Sequence, residues 1–162
     1  RTVVVNGVSK TYAMTGWRIG FAAGPQEIIE AMTTLQSQST SNACSIAQMA
    51  AKAALLGDQA CIEPMRQAFK ARHDYLVQAL NAIPGIECLA GDGTFYAFPK
   101  VEGLIQALGL KDDGALSDYL LNKMYIAVVP GSAFGAPGHI RLSFATSLEN
   151  LQEAVKRLQK IG

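Results

Sequence analysis

A lysine and an arginine near the start of the chain have the types and the spacing to hold an aldehyde that carries a phosphate. Lys10 lies in a polar turn after the β-branched residues 2–5, and Arg18 follows eight residues later. A lysine amine on such a turn can be desolvated, which lowers its pKa and frees the neutral amine for Schiff-base chemistry. The planar guanidinium of Arg18 matches the oxygens of a phosphate. This pair predicts a pyridoxal phosphate site, since that cofactor needs an amine for its aldehyde and a clamp for its phosphate.

A second arginine lies in the middle of an alternating segment near the end of the chain. Residues 139–145 predict a strand with His139, Arg141 and Ser143 on one face and the apolar residues between them on the core face. An arginine between apolar neighbours needs an anionic partner. A ligand is one candidate for that anion, and an ion pair with Asp92 or a bond to a backbone carbonyl is the alternative.

The elements that must position these side chains follow from apolar periodicity and turn residues. The first part is expected to contain a strand over 2–5, buried on both faces as in a parallel sheet, a strand over 18–23, and a helix from Pro25 with an apolar stripe. A polar connection over 36–43 leads to a helix capped by Ser45 and Gln48, then to a long helix ended by Pro84 and Gly85. The last part is expected to contain a hairpin of strands 86–90 and 94–98, a helix over 116–123, strands over 126–129 and 139–145, and a last helix capped by Ser147. This order predicts an α/β beginning followed by an α+β unit.

Composition narrows the functional classes. The 162 residues are 49% hydrophobic, which excludes a disordered chain, and 14 basic against 13 acidic residues leave a net charge of +1. This balance argues against nucleic acid or membrane partners. The 3 cysteines have no paired spacing and no histidine partner, so we expect no metal site and a reducing, cytoplasmic location. The chain lacks an initiator Met and begins within a predicted strand, so we expect it to belong to a longer protein.

Residues 7–20 also carry a family resemblance. Their sequence, GVSKTYAMTGWRIG, resembles the lysine signature of the class I aminotransferases, which are fold-type I pyridoxal-phosphate enzymes, and in particular the bacterial aspartate aminotransferase branch. The resemblance continues through Ser41 and Asn42, through GTFY at 93–96 and VPGSAFG at 129–135, and ends with HIRLSFA at 139–145. It corresponds to the C-terminal part of the family's chain.

The resemblance implies a fold and domain boundaries. The fold is the C-terminal part of the fold-type I transferase fold, with residues 1–43 ending the large α/β domain. Residues 44–162 would form the small α+β domain, beginning with the connecting helix.

The resemblance also implies residue roles. Lys10 would be the catalytic lysine that forms the Schiff base and then acts as the base of the proton shift. Arg18, with Lys10 and Ser9, would bind the cofactor, and Arg141 would bind the substrate α-carboxylate.

Two positions depart from the family pattern. Some members have a serine three residues before the lysine, whereas this chain has Gly7, so Ser9 or backbone N–H groups would have to contact the phosphate. One subgroup has an arginine for the distal carboxylate of aspartate five residues before the asparagine of the Ser-Asn pair, and that position here is Ser37.

The resulting hypothesis is transamination between an amino acid, expected to be aspartate, and a 2-oxo acid, expected to be 2-oxoglutarate, by a homodimer that uses pyridoxal phosphate. Two alternatives stay open: a C-terminal module that is inactive alone, and an aminotransferase of other specificity, such as aromatic or alanine.

Overall fold

The chain divides into two compact units, of which the first ends at Met65 and the second begins at Arg66, so that the boundary falls within one long helix. The computed structural model describes residues 1–161. The first unit contains strands β1 (Val4–Gly7) and β2 (Gly20–Ala23), helices α1 (Gln26–Ser39) and α2 (Ser45–Leu56), and the start of helix α3 (Ile62–Asn81). The expected boundary between residues 43 and 44 concerns the domains of the family's longer chains, and it stays a prediction.

The first strand differs from its prediction in partner and burial. β1 pairs antiparallel with β2, with Val4 opposite Ala23 and Gly7 opposite Gly20. Val5 is 76% exposed, so the expected parallel strand, buried on both faces, is wrong for the described residues. A β-branched run favours extended backbone, but it does not specify which segment supplies the neighbouring strand or the covering layer.

The core of the first unit is small and lies around the turn between β1 and β2. Its buried apolar side chains are Val8, Ile19, Ala47 and Ala51, of which Val8 is fully buried at 0% exposure. The two alanines belong to α2, so this helix packs beneath the turn. No residue of α1 is fully buried, although the helix carries the predicted apolar stripe.

Two boundaries in the first unit correct the sequence predictions. α1 continues to Ser39, so it includes the first part of the expected polar connection. α2 begins at Ser45 with Cys44 in the capping position, and the Gln48 side chain donates to the Ala43 carbonyl at 2.8 Å. The Ser45–Gln48 capping box is therefore wrong. Backbone N–H groups of Ala47 and Ile46 lower the pKa of the Cys44 thiol.

The second unit is an antiparallel three-stranded sheet packed with helices. It contains most of α3, strand β3 (Tyr96–Ala97), helices α4 (Glu102–Ala107) and α5 (Asp113–Met124), strands β4 (Val129–Pro130) and β5 (Ile140–Ser143), and helix α6 (Leu148–Leu158). The strand order is β3-β5-β4, so β5 is central. The predicted alternation is confirmed, because Ile140, Leu142 and Phe144 are buried in the core.

The predicted hairpin around residues 91–93 is not formed. β3 pairs with β5 instead, and the earlier segment contributes a single bridge between Glu87 and Lys100. The side-chain amide of Asn81 accepts the N–H of Cys88 and donates to its carbonyl, both at 2.8 Å. These bonds satisfy the backbone groups that a hairpin ladder would use. The Ser147 cap is confirmed, since its hydroxyl accepts the N–H of Asn150 at 3.2 Å.

Candidate functional site

Ser9 and Lys10 lie on a tight turn that is fixed from beneath by the buried Val8. The N–H of Met14 donates to the Ser9 carbonyl and that of Ala13 to the Lys10 carbonyl, both at 3.1 Å. At the start of the turn, a Cβ on Gly7 would lie 2.9 Å from the carbonyl oxygen of Ile19. The close approach of the two strands therefore favours glycine at position 7, where some members of the family that the signature resembles have serine.

Arg18 has a backbone conformation that residues other than glycine rarely adopt. It follows a short 3₁₀ turn, Thr15–Trp17, and has φ 53° and ψ 47°, in the left-handed region. Its Nη1 donates to the Thr15 carbonyl at 3.0 Å. The expected strand start at Arg18 is wrong, because β2 begins at Gly20. Non-glycine residues in this region cluster at functional sites, where the surrounding structure holds them in place.

Ser9, Lys10 and Arg18 line one cleft of about 390 Å³, together with Asn6, Gly7, Thr11, Ile19 and Gly20. The structure thus brings together the three residues predicted to bind the cofactor. An amine, a guanidinium and a hydroxyl on one concave surface fit an aldehyde phosphate, and the volume is within the usual range of about 300–1,000 Å³ for small-molecule sites. Lys10 and Arg18 are exposed, so the expected desolvation of the lysine amine is not provided by the described residues.

Arg141 lies in the second unit, on the face of β5 opposite the core. Its guanidinium carbon is 4.4 Å from the centre of the Tyr96 ring and 4.7 Å from that of Phe134. Within the part of the chain that the structure describes, Arg141 forms no ion pair, and the alternative partner Asp92 forms none with it. The two rings can hold a guanidinium by cation–π attraction while its N–H groups stay available to an anion.

Tyr96 and Phe134 were missed as functional residues, and strand register could have identified the first. Tyr96 lies opposite Ser143, which shares its face of β5 with Arg141. Phe134 lies in the short 3₁₀ turn Gly131–Phe134, where no periodicity predicts the direction of a side chain. His139 stacks on Phe98, with ring centres 5.3 Å apart, and so packs against a ring of the same unit.

His73, on helix α3, has a hydrogen-bond partner at each of its two ring nitrogens. Its side chain is 15% exposed, and the N–H of Gly91 donates to Nε2 at 3.2 Å. Nε2 therefore accepts, and Nδ1 carries the proton that it donates to Asp74 at 3.0 Å. Hydrogen bonds from Lys70 and His73 lower the pKa of Asp74. Helical periodicity does not predict this contact, because Gly91 lies in a loop beyond the helix.

The described residues contain no cluster of metal ligands and no membrane-spanning helix. No group of three or more histidine, cysteine, aspartate or glutamate side chains is arranged to hold a metal ion. Among the same residues, no helix has the length and apolar character needed to cross a membrane.

A family model and curated relatives match almost the whole chain. Residues 1–158 match the family model described as aminotransferase class I and II. The chain is 57% identical over 167 aligned residues to the aspartate/prephenate aminotransferase of Nitrosomonas europaea, covering 99% of this chain and 42% of that protein. It therefore spans about two fifths of the length of the curated relatives it matches.

Solved structures with the same fold cover the chain equally well. The crystal structure of the aspartate aminotransferase of Rhizobium meliloti has a TM-score of 0.94 and 45% identity, covering 99% of this chain and 42% of that one. An aromatic aminotransferase of Pyrococcus horikoshii has a TM-score of 0.90 and 38% identity, with 99% and 42% covered. The predicted C-terminal part of the fold-type I transferase fold is confirmed.

Proposed function

The chain belongs to the aminotransferase class I and II family, and on this premise we propose that it supplies the lysine and both anion-binding arginines of a pyridoxal-phosphate-dependent aminotransferase. One observation carries the proposal. Arg18 lines the same cleft of the first unit as Ser9 and Lys10, although it lies eight residues after Lys10 in the signature.

The cofactor would be held by these three residues. The Lys10 amine would bind the aldehyde carbon, the Arg18 guanidinium would bind the phosphate, and the Ser9 hydroxyl would donate to a phosphate oxygen. When bound, pyridoxal phosphate supplies an electron sink that makes the Cα–H bond of an attached amino acid acidic.

The remaining steps belong to this chain's own side chains. Arg141 would bind the substrate α-carboxylate and so orient the Cα–H bond. The Lys10 amine would act as the base that takes the substrate Cα proton and as the acid that returns it. General acid–base catalysis of this kind contributes about 10²–10⁴-fold in rate.

For the substrates we propose aspartate as the amino donor and 2-oxoglutarate as the acceptor. Relatives named aspartate aminotransferase support this choice. Ser37 does not offer a cation for the distal carboxylate, and its hydroxyl donates to the Thr34 carbonyl at 2.8 Å within α1. The distal carboxylate would therefore have to be bound by a group other than residue 37. An aromatic specificity is the second candidate, supported by the similarity to the Pyrococcus horikoshii enzyme.

We also propose that the 162-residue chain is inactive by itself and works within a longer, homodimeric enzyme. Its relatives are more than twice as long, and the exposed apolar faces of β1 and α1 are consistent with packing against further protein. Acidic, aromatic and alanine specificities would then depend in part on residues outside this chain.

Amino transfer tests the proposal directly. In a full-length aminotransferase that carries this chain, we expect oxaloacetate from aspartate and 2-oxoglutarate, and loss of at least 10²-fold in kcat for Lys10→Ala. Lys52→Ala is the matched control, because Lys52 is an exposed lysine of the same unit outside the cleft of Lys10. Retained activity in Lys10→Ala would refute the proposal, and higher kcat/KM for phenylalanine or alanine than for aspartate would replace the proposed donor.

A further inference from the structure

Asp113 is a buried carboxylate that the proposed function does not use. It is 2% exposed and is the sole buried charged side chain among the residues that the structure describes. It lies at the first residue of α5, and its Oδ2 accepts the N–H of Ser132 at 2.7 Å. A buried charge is retained when it is fully hydrogen-bonded or when it holds other groups in place.

Asp113 binds one end of the loop formed by residues 131–138. Burial raises the pKa of its carboxyl, but hydrogen bonds, those of Ser132 first among them, outweigh burial and lower it. Ser132 lies near the start of the loop, and the Gly138 carbonyl at its end accepts the N–H of Val101 at 2.8 Å. Asp113 therefore fastens the start of this loop to α5, and Val101 fastens its end.

The loop itself leaves little room for alternative paths. The N–H of Gly131 donates to the His139 carbonyl at 2.7 Å, and the Gly131 carbonyl accepts the N–H of Ala136 at 3.0 Å. A Cβ on Gly131 would lie 2.3 Å from the carbonyl oxygen of Ala136, so the chain closes tightly here. With its ends fastened and its middle closed, the loop fixes where Phe134 lies.

Phe134 connects this loop to the carboxylate-binding arginine. Its ring centre lies 4.7 Å from the Arg141 guanidinium carbon, and that of Tyr96 lies 4.4 Å from it. Tyr96 is fixed by its place in β3, opposite Ser143, whereas Phe134 is positioned by the loop and by the Phe98 ring, whose centre is 6.1 Å away. A guanidinium that loses one of two facing rings can rotate, and a carboxylate then meets its N–H groups at the wrong angle.

We propose that Asp113 is a positioning residue for substrate binding: it holds the 131–138 loop so that Phe134 keeps the Arg141 guanidinium oriented. The structural part stands on the contacts above, and the effect on substrate rests on the proposed function of Arg141. Asp113→Asn would replace one carboxylate oxygen with an NH₂ group, which cannot accept an N–H. The substitution would loosen the loop but keep the volume of the side chain.

The test compares two neighbouring aspartates at the same helix end. Asp113→Asn removes the buried acceptor, whereas Asp112→Asn makes the same charge change at the capping residue, whose side chain accepts the N–H of Ala115 at 2.8 Å. Asparagine caps helices as well as aspartate does, so this control should change little. The first readout is the Nε–H NMR signal of Arg141 in the 162-residue chain, which the two rings shift. We expect Asp113→Asn to move or broaden it, and Asp112→Asn to leave it in place.

The second readout is substrate affinity in the full-length enzyme. We expect Asp113→Asn to raise KM for both amino acid and 2-oxo acid about 10-fold to 100-fold, with a smaller change in kcat. In combination with Phe134→Leu it should add little, because both act through the same ring. If Asp113→Asn does not fold, Ser132→Pro removes the N–H and the hydroxyl of Ser132 as donors and leaves the charge.

The outcomes separate the two levels of the argument. An unchanged Arg141 signal in Asp113→Asn, or additive effects with Phe134→Leu, would overturn the positioning role and leave the proposed function intact. A shifted signal in an enzyme that does not transfer amino groups would uphold the positioning role and refute the proposed function.

Discussion

Replacing Arg18 by glycine should separate its conformational strain from its binding of phosphate. With φ 53°, Arg18 is in the left-handed region, which costs a residue with a Cβ about 1–2 kcal/mol. Glycine removes that cost but loses about 0.4–1 kcal/mol through its greater freedom in the unfolded state. It also loses the hydrogen bond from Nη1 to Thr15, about 0.5–1.5 kcal/mol. These contributions nearly cancel, so Arg18→Gly should change the free energy of unfolding by less than about 1 kcal/mol.

Arg18→Ala and Ala13→Gly are the comparisons that isolate each contribution. Alanine at position 18 keeps the strain and loses the hydrogen bond, so Arg18→Ala should be less stable than Arg18→Gly by about 0.5–1 kcal/mol. Ala13 has the same φ of 53° and no side-chain donor, so Ala13→Gly should stabilise the chain by up to about 1 kcal/mol. Urea unfolding of the 162-residue chain measures all three.

The binding assay compares pyridoxal phosphate with pyridoxal, which lacks the phosphate. Loss of a charge-assisted contact costs about 1.5–3 kcal/mol, so both Arg18 variants should bind pyridoxal phosphate about 10-fold to 150-fold more weakly. Their affinity for pyridoxal should stay unchanged, and Ala13→Gly should alter neither. Equal weakening for both ligands would refute the role of Arg18 as phosphate ligand, and a glycine variant less stable than the alanine variant would refute the strain argument.

Three other substitutions in the second unit test a core ring, the buried carboxylate and a helix cap. Phe144→Ala removes a core ring of the second unit and should lower the free energy of unfolding by about 3–5 kcal/mol in urea; a loss below 1 kcal/mol would contradict its burial. The folded-state pKa of Asp113 is lowered, so its ionised carboxylate contributes to the free energy of unfolding. This contribution is complete above the unfolded pKa of about 3.9 and disappears as the pH falls through the folded value. The wild type should therefore lose more stability in acid than Asp113→Asn, and parallel pH profiles would exclude this contribution. Ser147→Ala removes a helix cap and should cost about 0.5–2 kcal/mol, whereas Thr146→Ala, just outside the helix, should cost less; equal costs would mean that the cap does not stabilise α6.

Local periodicity predicted the parts of the fold that depend on neighbouring residues. The alternation of residues 139–145 placed Arg141 opposite the core face, and the Ser147 cap marked the start of α6. Both signals arise within a few residues of the chain. The signature around Lys10 and Arg18 was predictable as a site for the same reason, although the left-handed backbone of Arg18 was not.

The errors arise where a partner lies far away in the sequence. The hairpin at 86–98 was expected because the turn residues are suitable, but β5 lies more than forty residues later and takes β3 as its neighbour. Asp113 resembles any acidic residue of a first helical turn until the loop at Ser132 encloses it. The apolar stripe of α1 predicted a helix correctly but not what covers it.

Covalent trapping tests the central claim most directly. The 162-residue chain is mixed with pyridoxal phosphate, reduced with borohydride, digested, and searched by mass spectrometry for pyridoxyl-lysine. Because Lys10 alone among the lysines shares the cleft of Ser9 and Arg18, we expect one adduct per chain, on Lys10, that disappears in Lys10→Arg and persists in Lys52→Arg. Labelling spread over surface lysines, or labelling unchanged in Lys10→Arg, would contradict the assignment of this cleft as the cofactor site.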